Sequence, residues 1–83
     1  MNVLLSSIAK NDIRLLMRVF NAEKEKRGND FLESLKESID GILQDHRTTG
    51  SEISVRPMKE FPVNIHYIFE DEDHLLITAV FKI

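Results

Sequence analysis

The chain has 83 residues, of which 42% are hydrophobic and 30% charged, with a net charge of -3 and no cysteine. That length supports one domain rather than two, and the apolar content is too high for a disordered segment. Disulfides and cysteine-ligated zinc are excluded, and the net negative charge argues against a globally basic, nucleic-acid-gripping surface.

The first residues, MNVLLSSIAKND, carry a short apolar run without a basic leader, so a secretory signal is not expected. No stretch approaches the length of a membrane span. The expectation is a soluble cytoplasmic protein. A domain this small buries only about 60–65% of its unfolded surface, so a partner that adds burial is expected.

Residues 2–6 suit a short strand, and Ser6 and Ser7 offer capping oxygens for a helix. Ala9, Ile13, Leu16, Met17 and Phe20 then follow the spacing of one helical face. Leu15, Val19 and Ala22 widen that stripe, which predicts burial on two sides. Gly28 is the expected stop.

A second helix is expected from Asn29 or Asp30, where Asp30 and Glu33 have capping-box spacing. Phe31, Leu35, Ile39 and Ile42 form its stripe, with Leu32 and Leu43 beside it. Gly41 falls inside this helix at a cost of about 1 kcal/mol against alanine, so either close packing or fraying is implied. The short break between the helices predicts an antiparallel hairpin.

After His46 the period changes from helix to strand. RTTGSE reads as a turn, and Ile53 and Val55 alternate with Ser54 and Arg56. Phe61 and Pro62 open the next strand, where Val63, Ile65, Tyr67 and Phe69 share one face and Asn64, His66 and Ile68 the other. Residues 70–73 form an acidic turn. In the last strand Leu75, Ile77, Ala79 and Phe81 alternate with Leu76, Thr78, Val80 and Lys82; both sets are largely apolar, which predicts a central strand.

The predicted order is β-α-α-β-β-β, an α+β domain. A helical hairpin would pack on one face of a small antiparallel sheet, with the first strand at its edge or beside the last strand. The expected core comprises Ile13, Leu16, Phe20, Phe31, Leu35, Ile39, Ile65, Tyr67, Ile77 and Ala79.

This order, with particular residues, resembles the RelE/ParE toxin superfamily, the plasmid stabilization proteins. The helix GNDFLESLKESIDGILQDH resembles the family's second helix. Val55 and Arg56, then Phe61-Pro62, Ile65, Tyr67 and Ala79-Val80-Phe81, resemble its core signature. The resemblance spans nearly the whole chain.

It implies a toxin of a type II toxin-antitoxin system with a cognate antitoxin as partner. The ParE branch acts by binding DNA gyrase, and the RelE branch by cutting mRNA on the ribosome. Two departures bear on the choice. Asn64 stands where members commonly carry an arginine, and Lys82 stands where a histidine commonly leads into a basic tail. The chain stops at Ile83, which reads as a shortened C-terminus. These departures favour a target-binding toxin or an inactive member, with the ribosome-dependent endonuclease as the alternative.

Candidate catalytic groups are His66, Arg56 and Lys82, since RNA cleavage needs a proton-transfer group and cations for the developing charge. Arg56, Lys59 and Lys82 are expected as a basic patch with Asn64 on the open face of the sheet. With Arg14 and Arg18, one turn apart on the first helix, these are the candidate contacts to a partner or target, and a homodimer is a second possibility for that surface. His46 and His74 fall near element ends and are expected in solvent. The three histidines lack a zinc-ligand spacing and no calcium loop is present, so no metal or cofactor is expected.

Overall fold

The computed structural model describes residues 2–45 and 53–83. His46 and the turn expected over RTTGSE lie outside the described residues. The elements are β1 (Asn2–Leu5), α1 (Ser7–Glu23), α2 (Arg27–Asp45), β2 (Ser54–Pro57), β3 (Val63–Asp71) and β4 (His74–Lys82), the expected α+β order.

Ser6 caps α1, its hydroxyl oxygen accepting from the Ala9 N–H at 2.9 Å. Ala9, Ile13, Leu16 and Phe20 are buried, as the stripe predicts. Ile8, Leu15 and Val19 are exposed, so α1 is covered on one side rather than two.

The helices meet differently from the expectation at Gly28. α2 begins at Arg27, so Asp30 lies in its first turn and is not the cap. Lys26 takes the left-handed turn, with φ of 67°. Gly28 serves close approach instead: a Cβ there would stand 2.8 Å from the Met17 carbonyl. Its N–H donates to Asn21 Oδ1 at 2.8 Å, tying the two helices together.

The sheet order is β1-β4-β3-β2. β2, β3 and β4 form an antiparallel meander. β1 pairs parallel with β4, so the sheet is mixed rather than wholly antiparallel. The long helical connection between β1 and the later strands is what permits a parallel neighbour.

The core lies between the helical hairpin and one face of this sheet. Phe20, Phe31 and Phe61 join α1, α2 and the loop before β3, with ring centroids 4.9–5.5 Å apart. Phe31, Leu35, Ile65 and Ile77 are buried, while Ile39 and Tyr67 pack partly buried against the cluster.

Ala79 is buried but stands apart from the main core. The reason is a register shift in β4. His66 pairs with Ala79 while Tyr67 pairs with Ile77, leaving Thr78 as the extra residue. Beyond it the faces exchange: Val80, paired with Ile65, enters the core, and Ala79 and Phe81 turn to the open face. Among the described residues no helix is long and apolar enough to cross a membrane.

Candidate functional site

Directly paired residues share a face of a sheet, which places every strand residue of interest. The face opposite the helices carries Val55, Asn64, His66, Ile68, Leu76, Ala79 and Phe81, through the pairs Val55–His66, His66–Ala79, Asn64–Phe81 and Ile68–Leu76. Leu4 joins it from β1, opposite Leu76.

His66 is half-buried at the centre of this face. The Phe81 ring meets it edge-on, with centroids 4.9 Å apart and planes at 86°. Its carbonyl accepts from the Thr78 hydroxyl at 3.2 Å. Its cross-strand neighbours are Val55 and Ala79, and Asn64 and Ile68 flank it along β3 on the same face.

Arg56 and Lys82 are not beside it. Arg56 pairs with Ile65 and Lys82 with Val63, and both partners are core residues. Both cations therefore project to the helix side. The Arg56 guanidinium reaches α2, where a Cβ at Gly41 would stand 3.2 Å from Nη2. The glycine inside α2 thus marks a close packing contact. Lys82 Nζ lies 3.7 Å from Glu23 Oε1 and 5.9 Å from the Phe20 ring centroid.

The basic patch expected on the open face is therefore corrected: of its expected members only Asn64 lies there. Lys59 sits in the bend after β2, lining a groove with Ser34, Glu37, Gly41, Arg56 and Glu60. Arg56 and Lys59 line it together with Glu37 and Glu60, so it presents no single sign of charge. Arg27 caps the neighbouring stretch, 4.3 Å over the Phe61 ring. Arg14 and Arg18 are exposed on α1, with Arg14 donating to Asn11 Oδ1 at 2.9 Å.

At the far end of the sheet, Glu70 and Asp71 belong to β3 and only Glu72 and Asp73 form the turn. His74 Nδ1 lies 2.7 Å from Asp71 Oδ1, which also accepts from the Asp73 N–H. The hydrogen bond and charge of Asp71 raise the His74 pKa, and the same bond to His74 lowers that of Asp71. Among the described residues no group of three such side chains is placed to hold a metal ion.

No family model matches the sequence, and no curated protein does. Among solved structures, a chain of the chromosomal ParDE TA system from P. aeruginosa matches with a TM-score of 0.81 at 8% identity. The match covers 100% of this chain and 96% of that one. The chain has the fold of that ParDE chain. This fold brings the hairpin, the meander and the parallel first strand together, and its open face carries Asn64, His66 and Ile68, the β3 residues that alternation sets opposite the core set. The pairing register of β2 and the shift at Thr78 add Val55, Ala79 and Phe81 to it.

Proposed function

We propose that this chain is the toxin of a type II toxin-antitoxin system, and that it acts in the cytoplasm by holding a target protein, as the ParE branch does with DNA gyrase. Fold alone does not choose between branches. The observation that carries the choice is the setting of His66: Val55, Ala79 and Phe81 lie against it from the neighbouring strands, and Arg56 and Lys82 project from the opposite face.

Cleavage through a ribose hydroxyl needs a proton-transfer group and cations converging on one phosphate. Here the histidine and the two cations are divided by the sheet. An apolar face with a few polar side chains suits instead a protein surface. On this reading Val55 and Phe81 form the contact patch with Asn64 at its rim. Arg14 and Arg18 on α1 meet the cognate antitoxin.

The test is a gyrase supercoiling assay with purified chain, run beside primer extension on translated mRNA. The expected result is inhibited supercoiling and no codon-specific cuts. Cuts that vanish in His66→Ala would overturn the reading in favour of the ribosome-dependent nuclease. Loss of both effects would make the chain an inactive member.

A further inference from the structure

β2 is an outer strand of the sheet, paired with β3 on one side only. Its neighbour decides which backbone groups it turns outward. The Met58 N–H donates inward, to the Val63 carbonyl at 2.9 Å. In an antiparallel pair the residues that bond inward alternate, so Arg56 and Ser54 also direct their backbone groups to β3. Val55 and Pro57 direct theirs outward, and Ile53 precedes them on the same alternation. The outer edge therefore carries the N–H and carbonyl of Ile53 and of Val55, and the carbonyl of Pro57.

The side chains of these residues form one row. Val55 lies on the open face, opposite His66, and alternation puts Ile53 and Pro57 on the same face. Ile53, Val55 and Pro57 are all exposed. Edge strands are ordinarily blunted by charge or proline. Here Pro57 blunts only the end, and the middle of the edge, at Val55, is apolar and open.

This stretch is complementary to itself. Turned about a two-fold axis at Val55, it meets a second copy antiparallel. Val55 then lies opposite Val55 of the second copy, Ile53 opposite Pro57, and Ser54 opposite Arg56. Each Val55 N–H reaches the other Val55 carbonyl, and each Ile53 N–H reaches the other Pro57 carbonyl. The pairs on the open face are all apolar. Arg56, the one charge between Ile53 and Pro57, meets a serine. An axis at Arg56 would set two guanidinium groups directly opposite each other, which is destabilising. An axis at Ser54 would leave only Ile53 to Val55 paired within the row.

We propose that β2 is a self-association edge: a second copy of this chain pairs with it antiparallel about a two-fold axis at Val55, joining two four-stranded sheets into one. The open faces of the two copies then continue into each other. The contact uses the β2 edge of both copies, so it closes at a dimer. The inference is independent of the toxin reading, since it needs neither antitoxin nor target.

The test is sedimentation equilibrium of the purified full chain over a range of concentrations. Val55→Lys, Val55→Glu and an equimolar mixture of the two are run beside it. We expect a reversible dimer of the wild-type chain. Each single variant should associate about tenfold more weakly or worse, because like charges then face each other at the axis. The mixture should regain association as a mixed pair, which also shows that both variants fold. In the wild type the Ile53 and Val55 amides should exchange more slowly as concentration rises. A wild-type chain that stays monomeric at about 1 mM would overturn the proposal. Association that both single variants keep would place the interface elsewhere and overturn it. So would association lost in both variants and not regained in the mixture, which removes the axis from Val55.

Discussion

The guanidinium of Arg56 lies across Gly41, so that a Cβ added at Gly41 would stand 3.2 Å from Nη2. The contact explains a glycine in the interior of α2 and gives it a measurable consequence. Alanine gains about 1 kcal/mol of helix propensity over glycine, and the group it meets is the far end of a flexible side chain. Gly41→Ala should therefore be neutral or stabilising by up to about 1 kcal/mol, whereas Gly41→Leu should destabilise by about 1–3 kcal/mol through overpacking. Urea midpoints of the two variants check the pair. A loss in Gly41→Ala as large as in Gly41→Leu would mean that the guanidinium is rigidly held.

Gly28 should behave in the opposite way. Its missing Cβ would meet the Met17 carbonyl at 2.8 Å, and a backbone atom within a helix cannot swing aside. Gly28→Ala should cost about 1–3 kcal/mol despite its better helix propensity. The same denaturation series reads it, and a stabilised variant would contradict the close approach of α1 and α2.

Leu35 is 2% exposed and belongs to the core cluster. Leu35→Ala should destabilise by about 2–5 kcal/mol, from lost burial and the remaining cavity. A cost below about 1 kcal/mol in thermal or urea unfolding would contradict its placement under the hairpin.

The Asp71–His74 pair sets a pH dependence. The folded pKa of His74 is raised by the bond to Asp71, so its contribution is complete below the unfolded value near 6.5 and fades as pH rises through the folded value. The folded pKa of Asp71 is lowered from 3.8, so its contribution is complete above that value and fades as pH falls through the folded one. The turn is thus best held between about pH 4 and 6.5. An NMR titration should show His74 protonating above pH 6.5, with Asp71→Asn returning it toward that value. An unchanged midpoint would remove the pair.

The helices and the order of strands were legible because their periodicities are strong. The buried stripe Ala9, Ile13, Leu16 and Phe20 and the caps at Ser6 follow from spacing alone. So were the two faces of β3, with Val63, Ile65 and Phe69 buried and Asn64, His66 and Ile68 opposite, but the faces of β2 and β4 were not. In β4 both alternating sets are apolar, so nothing in Leu75 to Phe81 marks the extra residue at Thr78 that exchanges them. In β2 the apolar Val55 suggests an inward side chain, yet it faces outward and Arg56 faces the helices. A long arginine stem covers apolar surface while its head reaches outward, and Gly41 leaves room for that head. The expected patch of Arg56, Lys59 and Lys82 with Asn64 failed because it depended on pairing partners, which composition does not encode. Leu15, Val19 and Ala22, expected on a second buried side, are exposed because apolar spacing does not tell which flank of a helix a neighbour covers.

The central claim is that the chain is a toxin whose action needs a binding face and no proton transfer by His66. Induced expression in a bacterial host, with growth followed for the wild-type chain and His66→Gln side by side, tests it most directly. Glutamine keeps a polar side chain of similar reach while removing the imidazole. Growth arrest of equal depth in both is the predicted result. Arrest by the wild type that is relieved in a folded His66→Gln variant, or no arrest by either, would contradict it.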